Sequence, residues 1–216
     1  MTWSEELTRY LFSTVAALLP IVNPLAAVGM VMGITANLTD EERARQVRRA
    51  CIYMFLILTT FLIAGGLIMN FFGISIPGLR ITGGLIISYL GFKMLFPDHT
   101  TMSRQERDEA IHKHDVSFMP LAMPTLSGPG SIAVIIGIAS TAQAGERVVI
   151  DHMLVAIGIA ITAIISYWIL RAASRLNNLL GATGMNAVSR IMGFLMICIG
   201  VQFCINGVLA IVKDAR

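Results

Sequence analysis

Two clusters of proline, glycine and small polar residues interrupt apolar sequence, and these clusters are well suited to bind a ligand. They comprise Asn23 and Pro24 in the first half, and Thr125, Ser127, Gly128, Pro129, Gly130 and Ser131 in the second. A helix that breaks inside a membrane directs free N–H groups out of one half-helix and free carbonyls out of the other. Free N–H groups attract a carboxylate, and free carbonyls attract an ammonium group or a cation. The clusters therefore predict a site for a small zwitterion.

Each cluster lies inside a long uncharged stretch. Residues 10–39 and 116–145 each run thirty positions without a charged side chain. One bilayer crossing needs roughly 20 apolar residues, so thirty with prolines in the middle indicate discontinuous helices. Proline also kinks many membrane helices that bind nothing, and a lone Pro20 would be interpreted in that way. Paired breaks, one in each half of the chain, favour a binding role.

The overall composition is that of a multi-pass membrane protein. Hydrophobic residues make up 56% of the chain and charged residues 13%, and the mean hydropathy is +0.75. Further uncharged stretches lie at 51–72, 81–92, 153–170 and 191–212. We therefore expect an all-α integral membrane protein with six transmembrane segments, of which the first and fourth are broken helices.

The two halves of the chain resemble each other. Residues 80–87 match residues 190–197 at five of eight positions with an offset of 110, and Pro20 aligns with Pro124 at an offset of 104. Three spans per half is an odd number, so the two copies must have opposite orientations. We expect two inverted three-helix repeats, at 1–96 and 118–216, joined by a polar cytoplasmic loop at 97–117.

The distribution of lysine and arginine sets the expected orientation. In a six-span arrangement, eleven of the sixteen basic residues lie on one side. Cytoplasmic loops collect positive charge, so both termini are expected on the periplasmic side of a bacterial inner membrane. Glu5 and Glu6 near the start argue against a removable signal peptide. This asymmetry accounts for the net charge of +3, so no nucleic-acid partner is expected.

Four further polar residues are candidates for gating or for lining the pathway. Arg80 and Arg190 occupy equivalent repeat positions near the starts of the third and sixth segments, where arginine also commonly anchors a helix at the interface. Gln202 and Asn206 are one helical turn apart in the sixth segment, where hydrogen bonds between helices are an alternative role. Glycines recurring every seven residues in these two segments predict close helix packing.

The sequence contains no pattern typical of an enzyme, so no catalytic residues are expected. All thirteen acidic residues fall outside the uncharged stretches, and the histidines of the polar loop lack metal-ligand spacing. No metal or other cofactor is expected. Proton relays usually use buried Asp, Glu or His, so sodium is favoured over a proton as a coupling ion. Cys51, Cys198 and Cys204 are expected to be buried free thiols.

Several long and unusual strings, together spanning most of the chain, resemble the MarC family of inner-membrane proteins. They are the Pro-Ile-Val-Asn-Pro of residues 20–24, the run at 72–84, the two proline clusters at 120–130, and the Ser-Arg-Ile-Met-Gly of residues 189–193. The family name comes from a multiple-antibiotic-resistance locus, while an archaeal relative is regarded as a transporter of glycine and alanine.

The resemblance implies a transporter of small neutral amino acids that works by alternating access. Its partners would be the small-molecule substrate and the lipid bilayer, and a homo-oligomer is left open. An exporter of drugs or toxic metabolites is the alternative function, and a non-transporting membrane protein is a third.

Overall fold

The computed structural model describes residues 8–96, 115–143 and 148–214, and all regular structure within these ranges is helical. In the first half, a π-helical turn at Thr8–Phe12 leads into α1 (Ser13–Val22), followed by α2 (Pro24–Ile34), α3 (Asp40–Phe71) and α4 (Ile76–Leu95). In the second half, a π-helical segment at Ser117–Leu126, here the π segment, precedes α5 (Pro129–Gln143), α6 (Val148–Arg171) and α7 (Ala173–Asp214).

The first break is a single residue between two helices that continue one span. Asn23 has φ 45° and ψ 60°, a left-handed conformation that asparagine tolerates better than most residues. Pro24 follows as the first residue of α2, where its missing N–H costs nothing. The same missing N–H deprives the Pro20 carbonyl of its ordinary helical donor. The helices on both sides form one span, Tyr10–Ile34.

The second break is larger and bends the chain. Met119 and Met123 have extended backbones inside the π segment, because each precedes a proline that disfavours helical geometry. The Met119–Pro120 and Met123–Pro124 peptides are cis. After Ser127 and Gly128, α5 starts at Pro129, and the two parts of this segment are bent by 60°. The predicted half-helix beginning at Pro129 is confirmed.

Helices α4 and α7, for which the glycine spacing predicts close packing, pack against each other in an antiparallel pair. A Cβ atom on Gly91 would lie 2.6 Å from the carbonyl oxygen of Gly193, and one on Gly84 would collide with the carbonyl of Gly200. A Cβ atom on Gly207 would lie 2.9 Å from the Pro77 carbonyl oxygen. The contacting positions increase by seven along α4 (77, 84 and 91) and decrease by seven along α7 (207, 200 and 193). The two backbones therefore touch through the repeated glycines.

Four described helical spans are long and apolar enough to cross a membrane, and the bent pair makes a fifth. They are Tyr10–Ile34, Asp40–Phe71, Val148–Arg171 and Thr183–Lys213, with Ser117–Leu126 plus Pro129–Ala142 as the bent pair. Helix α4, the remaining candidate among the six predicted spans, does not meet the same criterion because Arg80, Lys93 and its glycines lower its hydropathy. The all-α, multi-pass membrane fold is therefore established.

Two further predictions meet the structure only in part. Most of the polar loop at 97–117, including its histidines, lies outside the described residues. The expectation of three buried thiols is wrong for Cys198, which is exposed, whereas Cys51 is buried and Cys204 is half-buried. Cys198 lies on a face of α7 that carries other exposed apolar side chains, including Phe194, Val201 and Ile205.

Candidate functional site

The polar atoms of the first break are largely satisfied by the protein itself. The Asn23 side chain is only 6% exposed. Its Oδ1 accepts a hydrogen bond of 3.2 Å from the Ala26 N–H, which caps α2. Its Nδ2 lies 3.4 Å from the Met94 sulfur and 4.0 Å from the Met196 sulfur, both weak acceptors. Asn23 therefore ties the first break to α4 and α7, and Pro24 is buried beside it.

The second break leaves a hydroxyl group unsatisfied. Ser127 is fully buried, and its Oγ has no hydrogen-bond partner among the described residues. Two neighbouring hydroxyls do have partners: Thr125 Oγ1 donates to the Pro120 carbonyl over 2.8 Å, and Ser131 Oγ donates to the Leu126 carbonyl over 3.4 Å. Buried polar groups are nearly always paired, so Ser127 is an exception within the described residues.

The two breaks contact each other. A Cβ atom on Gly130 would lie 3.4 Å from Ile21 Cγ2, two residues before the first break, and 2.9 Å from Ile87 Cγ1 of α4. The hydroxyl of Thr125 is also 3.2 Å from the sulfur of Met30 in α2. The structure thus brings the break residues of both halves into one region, with Gly130 too closely packed to carry a side chain.

The electrostatics of this region follow from the ends of the helices. Helix α5 has 15 residues, and its first N–H groups have no partner within the helix and carry the positive end of its dipole. Ser127 and Gly128 lie directly before that end. On the other side, the Pro20 carbonyl lacks its helical donor and provides a partial negative charge. The region therefore offers donors from one break and an acceptor from the other.

The gate and lining candidates lie away from the breaks. Arg80 donates from Nη2 to Thr141 Oγ1 over 3.2 Å. Arg80 and Asn206 line a cavity of about 420 Å³ at the start of the first span, together with Tyr10, Gly137 and Lys213. Gln202 donates from Nε2 to Asn206 Oδ1 over 3.0 Å on an exposed face. Arg190 is exposed on α7. None of the four residues forms a hydrogen bond with a break residue, within the described part of the chain.

A second cavity, of about 540 Å³, lies at the opposite end of the first span. Here Arg43 is almost covered, with 12% of its side chain exposed. It donates to Thr35 Oγ1 over 2.8 Å, to Ser174 Oγ over 2.9 Å, and to Asp40 Oδ1 over 2.7 Å. Arg43 therefore connects the end of α2 to the starts of α3 and α7. From sequence alone it contributed only a positive charge to the orientation; of its three partners, only Ser174 is distant in the chain.

Sequence reasoning also missed Asp151. This residue lies in the first turn of α6, inside the span Val148–Arg171, and is only 4% exposed. The argument that favoured sodium assumed that no acidic residue lies within a span, and Asp151 removes that premise. The apolar residues on both sides of it, Ile150 and Met153, were the available signal.

Comparison with known proteins gives a consistent result. The chain matches the family described as MarC family integral membrane protein over residues 8–212. It is 44% identical to inner membrane protein MarC of Salmonella typhimurium over 204 residues, covering 91% of this chain and 92% of the relative. The relative of the same name in Citrobacter koseri is 44% identical over 205 residues with the same coverage. That of Escherichia coli O1:K1 is 43% identical over 204 residues, again with 91% and 92% coverage. No solved structure matches the chain.

Proposed function

The chain belongs to the MarC family of integral membrane proteins, and from this premise we propose that it transports small neutral amino acids by alternating access. The relatives are named inner membrane proteins, and the bacterial inner membrane is accordingly the proposed location. The role is carriage rather than catalysis. Exposed apolar side chains on the spanning helices, such as Leu67, Ile164 and Val208, would contact the lipid bilayer.

The observation that carries this proposal is the unpartnered hydroxyl of Ser127 at the start of α5. It is fully buried and has no hydrogen-bond partner among the described residues. Gly130, three residues further along the chain, packs against Ile21, which lies two residues before the first break. A carboxylate placed there would accept from Ser127 Oγ and from the free N–H groups of α5. The ammonium group of the same molecule would face the first break and the Pro20 carbonyl. A zwitterion of two or three carbons satisfies both ends.

The two cavities support a site reached alternately from either side. The outer cavity includes Tyr10 and Ser13 at the start of the first span, and the inner cavity includes Asp40 and Arg43 just past its end. The break at Asn23 lies between these ends. In this proposal the Arg43 contacts close the inner side, and the Arg80–Thr141 contact is part of the outer closure.

The contact between α4 and α7 supports the finer architecture of six spans in two inverted repeats. The glycine pairs Gly84–Gly200 and Gly91–Gly193 place the crossing between them, beside Ile87 and Ile197. These two isoleucines are equivalent at the sequence offset of 110. If a two-fold axis relates the two repeats and passes between two equivalent helices, those helices must cross at equivalent residues. A crossing of α4 and α7 at Ile87 and Ile197 is therefore the one that inverted repeats require.

Uptake of labelled glycine and alanine into proteoliposomes tests the function. We expect protein-dependent uptake that unlabelled alanine competes with and that the amide of glycine does not. Imposing a sodium gradient and a proton gradient separately identifies the coupling ion, which the buried Asp151 leaves open between the two. No uptake above that of protein-free liposomes would contradict the proposal. Movement of apolar drugs in the same preparation would indicate an exporter, and movement of neither would indicate a non-transporting protein.

A further inference from the structure

Serine and threonine hydroxyls in the spanning helices mostly bond to a carbonyl one turn earlier. Five threonines do so over 2.5–3.2 Å, namely Thr14, Thr35, Thr60, Thr141 and Thr162. This is the ordinary way to satisfy a hydroxyl in a membrane helix. Thr59 of α3 and Ser166 of α6 differ, because their buried hydroxyl oxygens have no partner among the described residues. Each has a partnered threonine on its own helix, Thr60 and Thr162, as an internal comparison.

Ser166 lies at the depth of the first break. Helix α6 contacts α1 where Gly158 meets Thr14, and just beyond its end Ser174 donates to the Met32 sulfur over 3.7 Å. Ser166 lies eight residues after Gly158 and eight residues before Ser174. Asn23 lies nine residues after Thr14 and nine residues before Met32. The two segments run in the same direction, so Ser166 and Asn23 are at about the same height. Ser166 is fully buried there.

Thr59 lies at the depth of the second break by the same reasoning. Helix α3 contacts the second broken segment at two heights. The Tyr53 and Phe118 rings are 5.5 Å apart, and a Cβ atom on Gly65 would lie 2.6 Å from Ile136 Cγ1. Thr59 lies six residues after Tyr53 and six residues before Gly65. Ser127 lies nine residues after Phe118 and nine residues before Ile136. The two unpartnered hydroxyls of Thr59 and Ser127 are therefore at similar depth.

Thr59 and Ser166 also occupy equivalent places in the two halves. They are 107 positions apart, between the offset of 104 that aligns the broken segments and the offset of 110 that aligns the last ones. Each lies on the helix that follows the broken segment in its own half. The same exception to the hydroxyl rule thus occurs twice, on the corresponding helix of each half and each time at the depth of a break, which local packing in one helix does not explain.

We propose that the hydroxyls of Ser166 and Thr59 are ligands of the transported molecule, an assignment that rests on the proposed function and completes its site. Ser166 lies at the depth of the first break, where the Pro20 carbonyl lacks its helical donor, so its oxygen accepts from a positively charged group, either the ammonium of the amino acid or a sodium ion. Thr59 lies at the depth of the second break, where α5 begins with free N–H groups, so its hydroxyl donates, together with Ser127, to the carboxylate. Each buried hydroxyl then gains the partner that the described chain does not provide.

Glycine binding to the purified protein by calorimetry tests this assignment with two variants and two controls. Ser166→Ala and Thr59→Val each remove one hydroxyl with little change in volume. We expect each to weaken glycine binding about tenfold or more, the size of one lost hydrogen bond to a charged group. Thr162→Ala and Thr60→Val remove partnered hydroxyls from the same helices and should leave the Kd within about twofold of wild type.

Thermal unfolding without ligand provides a second readout that is independent of binding. Because Ser166 and Thr59 lose no hydrogen bond within the described protein, their variants should unfold at the wild-type temperature or above it. Thr162→Ala should unfold below it, because that variant loses a bond that the protein makes. A Tm lowered in Ser166→Ala as much as in Thr162→Ala would overturn the assignment, since it would show that the hydroxyl already has a partner.

Repeating the titrations in sodium and in choline buffers separates the two possible cations at Ser166. If the ammonium binds there, the Ser166→Ala loss persists in choline; if sodium binds there, the loss occurs only in sodium. Both results support the assignment. Glycine binding by both variants with the wild-type Kd would overturn it while leaving the proposed function intact. Absence of glycine and alanine binding to the wild-type protein would overturn the proposed function itself, and this assignment with it.

Discussion

The two broken segments carry similar sequence signals but form different structures. In the first, Asn23 caps α2 with its own side chain, contacts two methionine sulfurs, and keeps the helices on both sides within one span of 25 residues. In the second, the chain bends by 60° and Ser127 is left without a partner among the described residues. The Asn23 side chain at the first break is therefore satisfied within the protein, whereas the Ser127 hydroxyl at the second has no partner among the described residues.

The difference follows from the reach of the two side chains. Proline removes an N–H in both segments, but the Asn23 amide accepts from the Ala26 N–H three residues ahead and contacts the Met94 sulfur. The shorter Ser127 hydroxyl reaches no partner among the described residues, and it directly precedes the free N–H groups of α5. We therefore expect changes at the first break mainly to alter stability, and changes at the second mainly to alter binding.

The largest expected effect is all-or-none and concerns the direction of the two segments. In inverted repeats, the chain emerges from the broken segments on opposite sides of the membrane. Single cysteines replacing Arg45 and Val149, both exposed, would be introduced into a cysteine-free background. An impermeant maleimide should label position 149 in intact cells, and position 45 only after permeabilisation. Labelling of both positions from one side would rule out the inverted repeat.

The next largest effect is expected at Gly130. A methyl group there would approach Ile87 Cγ1 to 2.9 Å and Ile21 Cγ2 to 3.4 Å, where the two breaks meet. Gly130→Ala should therefore reduce glycine uptake at least tenfold, with protein still present in the membrane. Gly29→Ala is the matched control, because its Cβ would have no atom within 4 Å, and it should transport normally.

A third variant tests packing without touching the breaks. Gly207→Ala places a methyl against Pro77 and Ile81 in the α4–α7 contact. It should lower the thermal stability while the surviving protein still transports. Normal uptake by Gly130→Ala together with lost uptake by Gly207→Ala would reverse the roles given to these regions.

At the first break we expect a moderate loss of stability. Asn23→Ala removes the cap on α2, at a cost of about 1 kcal/mol, and forces alanine into a left-handed conformation, at about 1–2 kcal/mol. Asn23→Gly removes the same hydrogen bonds but accepts the conformation, so it should be the more stable of the two variants. Denaturation in detergent measures the difference. Equal stability of the two variants would show that the backbone geometry at Asn23 is unimportant.

The smallest effect concerns the entry to the second segment. Hydrogen bonds from the Ser117 hydroxyl and N–H, with a smaller effect of Arg49, hold the pKa of Asp115 below its usual value. A lowered pKa means that Asp115 stabilises the fold above the pKa of the unfolded chain, about 3.9, and loses this contribution as the pH falls below it. Asp115→Asn should lower stability by well under 1 kcal/mol at neutral pH. The difference from wild type should shrink as the pH falls below the pKa of the unfolded chain and through the lowered pKa of the folded protein, and a constant difference would contradict this origin.

Some of these features were predictable from the sequence because they depend on local chemistry. Hydropathy indicated a multi-pass helical protein, the positions of Pro24 and Pro129 predicted where new helices start, and the glycine spacing predicted that α4 and α7 each pack closely against another helix. The contact of Arg43 with Ser174 and the unpartnered hydroxyls of Thr59 and Ser166 were not predictable. Each depends on which helix lies beside it in the fold, and no local pattern records that neighbour. Arg80 and Asn206 line the cavity at the start of the first span instead of the breaks for the same reason.

The measurement that tests the central claim most directly compares Ser127→Ala with Asn23→Gly. Calorimetry would give the Kd for glycine, and thermal unfolding the stability without ligand. If the second break binds and the first supports, Ser127→Ala should bind glycine about tenfold or more weakly while unfolding at or above the wild-type temperature. Asn23→Gly should unfold at a lower temperature while retaining most of its affinity. Unchanged glycine affinity in Ser127→Ala, or a loss of stability without a loss of binding, would contradict the claim that this break is the ligand site.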